Sequence, residues 1–441
     1  MKTIVHQGWG RRNKTKSKCI SVSEFDLELK STTSSGLPIG LGRSYGDSSI
    51  NSNGVYYTVS EKKKIEINAL DKTAKCEAGA TIGDLERIAI KYGLFPSTVP
   101  GTEFVTIGGA IASNIHGKSH HIAGSFGNSV SELTLLTSTG EILNLKPVGS
   151  SSKTFWATVG GMGLTGIVIE ATIKLKEVQT AYIQVEEQRA YNLKELTDLI
   201  REFDKKYLYT VAWIDLSGSF SGRGKVLGGN HVNNTQLPRK FKEKQLKIDR
   251  PYRLKIPDIF PPNFINSITV IIFNKIWFRK PLKNGIHKIR SFLHPLDSVK
   301  DWNRLYGKNG LIQYQFQISF ENEFLLEEVL SEMKKYRLSS FLGVLKKLGN
   351  SDESFLGFAA PGWTLTIDIP AINKNNQDFL EKLTQRLCQL SGKVYLTKDS
   401  VLKENDFNLM YLKKCEWKEI KKEVDPDNYW QSDQGRRLGL C

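Results

Sequence analysis

The alternation of apolar and polar positions is clearest late in the chain. In Gln313–Ile318 the apolar side chains are Tyr314, Phe316 and Ile318, with Gln313, Gln315 and Gln317 between them. In Trp363–Ile369, Leu365, Ile367 and Ile369 alternate with Thr364, Thr366 and Asp368. A period of two predicts strands with one apolar and one polar face. Helical periodicity surrounds them. Leu193, Leu196, Ile200, Phe203 and Tyr207 form a stripe after Asn192, which pairs with Glu195 as a capping box. A second helix is predicted near Glu323–Tyr336, and a third near Gln377–Leu390 with Leu380, Leu383, Leu387 and Leu390 aligned ahead of Gly392. Another strand follows at Lys393–Thr397. This mixture predicts a sheet whose apolar face is covered by helices, leaving the polar face as a solvated surface or the wall of a pocket.

The first 175 residues are patterned differently. Short apolar runs at Gly54–Val59, Ala74–Thr81 and Glu132–Thr137 predict strands between glycine-dense turns. One helix is predicted near Ile82–Tyr92, with Leu85, Ile88 and Ala89 on one face and Gly93 as its stop. Gly161, Gly163 and Gly166 stand in the G-x-G-x-x-G spacing of a dinucleotide fingerprint. That mechanism needs a helix after the glycines. Ile167–Ile173 is rich in β-branched residues and predicts a strand, so the Rossmann reading fails on context.

Composition narrows the class. A chain of 441 residues, 39% hydrophobic and 24% charged, has the make-up of a soluble protein of two or three domains. The first eight residues hold no signal-peptide core, and the most lipophilic window, Ile268–Phe278, is interrupted by Asn274 and Lys275 and too short to span a bilayer. Cys19, Cys76, Cys388, Cys415 and Cys441 form no CxxC pair, so reduced thiols, no metal site and a cytoplasmic location are expected. The net charge of +16 reads either as a solvated lysine surface or as attraction to an anionic partner. Its densest segment, Arg239–Lys255, interleaves cations with Phe241, Leu246, Ile248, Tyr252 and Leu254, a pattern that predicts contact with an anionic membrane surface. No zinc-finger or RNP motif supports nucleic acid as a partner.

Three glycine-rich stretches carry the candidate chemistry: PIGLGRSYGD over 38–47, PGTEFVTIGGAIASNIHGK over 100–118, and the turn that precedes Ile167. Runs of glycine let successive backbone N–H groups point inward as an anion nest, which a pyrophosphate requires. His116 and Lys118 stand beside the second loop.

These stretches carry a resemblance. GWGR at 8–11, GLGRSYGD at 40–47, VTIGGAIA at 105–112, IHGK at 115–118, HHIAGSFGN at 120–128, FWATVGG at 155–161, GLTG at 163–166, LIQYQF at 311–316, PGW at 361–363, TKDS at 397–400 and RRL at 436–438 run nearly end to end. Together they resemble the FAD-linked oxidases of the vanillyl-alcohol oxidase/p-cresol methylhydroxylase (PCMH) superfamily, in particular members acting on polyprenyl-phosphoryl pentoses.

The resemblance implies an α+β, two-domain fold of PCMH type. An FAD-binding domain would cover residues 1–180. A substrate-binding domain, a mostly antiparallel sheet covered by helices, would cover 181–392, and 393–441 would return to the FAD domain. FAD would be held by Pro38, Ile39, Gly40, Leu41, Gly42, Arg43, Ser44, Tyr45, Gly46, Asp47, Ser48, Gly101, Thr106, Ile107, Gly108, Gly109, Ser113, Asn114, Ile115, His116, Ile167 and Tyr395. Many relatives attach FAD through a histidine in the first loop; Gly42-Arg43-Ser44-Tyr45 has none, so non-covalent FAD is expected. Lys398 and His116 would be the catalytic residues, with His116 the first choice of base because a neutral imidazole is available near pH 7. Lys118, Gln315, Tyr306, Trp213 and Thr366 would line the substrate pocket with Asp368 nearby, while His120 and His121 read as structural. Mycobacterial relatives carry a cysteine where Thr366 stands.

The implied reaction is FAD-dependent oxidation of a sugar secondary alcohol to a ketone, at the C2 hydroxyl of a polyprenyl-phosphoryl pentose. It would be the first half of an epimerisation in cell-wall biosynthesis, with a partner keto-reductase, on the inner face of the membrane. Two competing classes stand beside it: a sugar-lactone or alditol oxidase acting on a soluble polyol, and a non-catalytic basic protein binding membrane or nucleic acid.

Overall fold

The late alternation builds the largest element of the computed structural model, which describes residues 2–25, 35–250, 254–261, 264–338, 340–371 and 374–441. It is an eight-stranded sheet in the order Gly285–Lys288, Tyr182–Ala190, Gly224–His231, Tyr209–Ile214, Val344–Leu348, Gly362–Pro370, Leu311–Ile318 and Lys393–Val394. Every neighbouring pair is antiparallel. Tyr314, Phe316, Ile318, Leu345, Leu365, Ile367 and Ile369 are buried in one apolar cluster with residues of the helices Leu193–Lys206, Phe324–Lys335 and Lys374–Gln389. Each such side chain contributes roughly 1.5–3 kcal/mol by leaving water. The covered face therefore anchors the sheet, and the polar face is free to line a site. On that face the register places Lys225, Trp213, Val344, Thr366 and Gln315 in one row across five strands.

Two smaller sheets make up the glycine-rich part. One runs Lys2–Gln7, Lys14–Ser21, Val55–Thr58, Gly36–Ile39; the other runs Ile65–Asn68, Thr73–Glu77, Ile167–Glu177, Val130–Leu136, Ile142–Leu145, with Leu94–Pro96 also on Ile167–Glu177. Ile167–Glu177 is thus the strand that its β-branched residues predict, with antiparallel neighbours on both sides. The turn before it holds Gly160 and Gly163 at φ of 79° and 78°, and a Cβ on Gly163 would come 3.1 Å from Pro38 Cγ. The accidental fingerprint is a tight turn braced against the first glycine loop.

The helix Ile82–Ala89 starts at a reciprocal Thr81–Asp84 cap and stops, after one turn of 3₁₀ helix, at left-handed Gly93. At Leu193–Lys206, Asn192 accepts from the Glu195 N–H as predicted, but the Glu195 carboxylate accepts from the N–H of Tyr191. The strand predicted at Lys393–Thr397 pairs only over Lys393–Val394. The Tyr395 N–H donates to Gln315 O, and the N–H groups of Lys398 and Asp399 then turn back onto Tyr395 O. This turn presents Lys398 to the polar sheet face.

The final segment ties to the glycine-rich part. Trp417 Nε1 donates to Ala157 O at 2.8 Å, and Tyr429 and Tyr57 share a hydroxyl bond of 2.8 Å. Arg437 bridges Asp47 at 2.6 Å and Asp399 at 2.9 Å, clamping the first loop to the turn that carries Lys398. The basic segment is partly packed: Phe241 stacks on Tyr182 at 4.9 Å, Ile248 is buried and Leu246 packs on the core, while Leu254 is 66% exposed and Tyr252 lies outside the described residues.

Candidate active site

A cavity of about 890 Å³ lies between the glycine loops and the polar face of the large sheet. Pro38, Ile39, Gly40, Leu41, Gly42, Arg43, Ser44, Tyr45 and Ser48 of the first loop line it, with Gly101, Thr106, Gly109, Ser113, Ile115, His116 and Tyr395. Facing them are Lys118, Trp213, Gln315, Thr366 and Lys398. Two distant loops and three strands of the large sheet thus converge on one volume.

Other expected contacts lie behind the wall. Asp47 is engaged by Arg437, and Asn114 by Asp352, Ser354 and the Gly127 N–H. Gly46, Ile107 and Gly108 support the lining rather than form it. Ile167 is 1% exposed within the core; the glycine turn instead presents Met162, at φ 53°, to the cavity. Tyr306 and Asp368 are buried beneath the lining. The Asp368 carboxylate accepts from Gln313 Nε2 at 2.5 Å, and the Asp368 N–H donates to Ser340 Oγ.

The hydrogen-bond chain assigns the histidine. Thr364 Oγ1 donates to Phe316 O at 2.8 Å, so it accepts from Gln315 Nε2 at 2.9 Å. The second Gln315 N–H points at His116 Nε2, also at 2.9 Å, which must therefore accept. The proton then sits on Nδ1. Burial first, then Lys346, His120 and Lys398, hold His116 well below the ordinary imidazole value. His116 is a neutral ring with its basic nitrogen occupied, set between Phe358 at 5.5 Å and Tyr395 at 5.0 Å. His120 bonds Ser125 Oγ and the Gly349 N–H, and His121 bonds Tyr207 O; both serve the fold, as expected.

The lysines are the titratable groups of interest. Burial pushes Lys398 down to about 8 against the opposing pull of Asp368, whose own value burial raises to about 7. Lys118 is lowered to about 8 by burial and donates to Leu293 O at 2.7 Å. Lys346, which the sequence reading missed, also lines the cavity; burial, then Lys398 and Lys118, take it down to about 7. Its signal was masked by the adjacent Lys347, since two successive lysines read as a surface. Register alone places Lys346 opposite Thr364, one pleat from the Thr366 row.

The residues fit a flavin dinucleotide. His116 Nδ1, Gln315 Oε1 and Ser48 Oγ are buried on cavity-lining residues with no partner among the described residues. A ligand rich in carbonyl, imide and phosphate groups satisfies donors and acceptors of this kind. The volume lies near the upper end for small-molecule sites and admits a further substrate.

The comparisons with known proteins agree. The "FAD binding domain" family matches residues 29–146. The chain belongs to the FAD-linked oxidoreductases of PCMH type and uses FAD. It is 36% identical to the decaprenylphosphoryl-beta-D-ribose oxidase of Mycolicibacterium smegmatis, covering 98% of this chain and 97% of that protein. An uncharacterised Streptomyces coelicolor protein is 29% identical over 82% of this chain and all of its own length. The L-gulonolactone oxidase of Bos taurus is 29% identical over 44% of this chain and 42% of its own.

None of the five cysteines lines the cavity, and the histidines that do are His116 and His287, neither in the first loop. Acid precipitation of the purified protein is accordingly expected to release yellow flavin into the supernatant. Flavin retained in the pellet would show covalent attachment.

Proposed function

We propose that the protein oxidises the C2 hydroxyl of a polyprenyl-phosphoryl pentose to the ketone, using non-covalent FAD, as the first half of an epimerisation completed by a partner keto-reductase. The observation that carries this reading is a single cavity with two characters. Its lining includes Lys118, Lys346, Lys398, Gln315 and Thr366, groups that bind hydroxyls and phosphate oxygens. It also includes Phe273, Trp277, Leu296, Val299, Trp302 and Phe341, which suit a prenyl chain. A soluble polyol has no use for those apolar side chains. The Mycolicibacterium relative, named for such a substrate, supports the same assignment.

FAD, when bound, supplies the hydride acceptor. Gln315 and Thr366, neighbours on one cross-strand row, orient the sugar hydroxyls. Lys398 accepts the hydroxyl proton, because its pKa, lowered by burial to about 8, leaves roughly a tenth of it neutral at pH 7 and more as pH rises. His116 takes a different part from the base first expected: its Nε2 is held by Gln315, and its Nδ1 is buried without a partner among the described residues. Lys346 and Lys118, on the same cavity lining, offer N–H donors to ligand oxygens. Anaerobic mixing with a polyprenyl-phosphoryl pentose tests the proposal: bound flavin bleaches and a C2 ketone forms.

A further inference from the structure

The helix Ser267–Arg279 is apolar on nearly all sides, yet only one side of it is buried. Val270, Asn274 and Phe278 face inward, and Asn274 Nδ2 pins the helix by donating to Asp215 Oδ1 at 2.7 Å. Phe273 and Trp277 line the cavity. The remaining side carries Ile268, Ile272 and Ile276, exposed by 71%, 55% and 65%. Their spacing of four stacks them in one ridge. A helix hydrophobic all round is ordinarily enclosed by protein or by lipid.

The charge along the stretch of chain that carries the ridge has one sign. Between Asp258 and Asp297 the sequence contains no acidic residue. Lys288 and Arg290 are engaged by Asp249 and Glu103, while Lys275 and Arg279 flank the ridge and Lys280 and Lys283 follow it on the cavity rim. An apolar ridge bordered by cations matches the interfacial layer of an anionic bilayer, where isoleucines enter the acyl boundary and lysines meet headgroups.

We propose that Ser267–Arg279 is an interfacial docking helix that seats the cavity mouth on an anionic lipid surface. The helix need not span the bilayer, so its length is no obstacle. Because Phe273 and Trp277 line the cavity from the same helix, docking brings that part of the cavity lining beside the membrane. The role of this contact in substrate delivery rests on the lipid-linked reading above; the docking itself does not.

The test uses the full-length FAD-loaded protein and sedimentation with vesicles of phosphatidylcholine, with or without phosphatidylglycerol. The unaltered protein is expected to sediment with the anionic vesicles and to be released by salt. The double variant Ile272→Glu/Ile276→Glu is expected to bind more than about tenfold more weakly, with its flavin absorbance and melting temperature unchanged. Equal binding by this variant would overturn the proposal. So would an equal loss caused by Lys240→Glu/Lys242→Glu in the segment Arg239–Lys242. Sedimentation velocity without vesicles covers the remaining occupant: a dimer that the isoleucine variant dissolves would assign the ridge to a second copy of the chain. A soluble short-chain prenyl-phosphoryl pentose, assayed for flavin bleaching without vesicles, tests the substrate reading separately.

Discussion

Lys398→Met is expected to lower the rate of substrate-dependent flavin bleaching by roughly 10²–10⁴-fold, the usual range for loss of a general base, while FAD stays bound. Methionine nearly matches the length of the lysine stem and keeps its packing near Tyr45, so the change falls on the amine. The pH profile supplies the second readout. A base must be neutral to act, and Lys398 loses its proton as pH rises through about 8. The unaltered enzyme is therefore expected to gain rate with rising pH and level off above that value, and the variant to lose the rise. Near-normal turnover by Lys398→Met would remove it from the mechanism. A profile that falls with pH would require a protonated group instead.

Gly46→Ala is expected to destabilise the protein by about 3 kcal/mol or more, at the upper end for overpacking, and to empty it of FAD. A Cβ at position 46 would lie 1.6 Å from Asp399 O, a backbone atom that no rotamer change can move. Asp399 belongs to the turn that presents Lys398, and Arg437 holds that turn against Asp47. Forcing the two segments apart disrupts the first loop and the catalytic lysine together. Gly101→Ala is the control for the FAD-free protein, since its Cβ would meet no protein atom within 4 Å. It is expected to leave the melting temperature nearly unchanged. Equal stability of both variants, measured by thermal unfolding, would contradict the clamp.

The polar sheet face was legible because a period of two leaves only one arrangement once helices cover the other side. Gln315 and Thr366 could be placed on the polar face from alternation alone, the resemblance made that face a pocket wall, and register brought them together with Trp213. Lys346 was not legible, because burial of one lysine beside an exposed-looking neighbour is a tertiary fact. The side chain of Ile167 was hard to place for a related reason: a strand residue next to a loop can face the core, and here the preceding turn brings Met162 to the cavity lining. The membrane face shows the same limit. Interleaved cations and apolar residues at 239–255 matched the expected pattern, but Phe241 found Tyr182 as a partner within the protein. Ile268–Ile276, dismissed as too short to cross a bilayer, kept its ridge exposed.

The identity of the substrate is the central claim, and anaerobic flavin bleaching measured across a substrate panel tests it most directly. The panel sets a polyprenyl-phosphoryl pentose against the free pentose, aldonolactones and alditols. The mixed polar and apolar lining of the cavity predicts rapid bleaching by the lipid-linked sugar, with a C2 ketone as product, and little or none by the others. Bleaching by a lactone or alditol, with the polyprenyl-phosphoryl pentose inert, would contradict it.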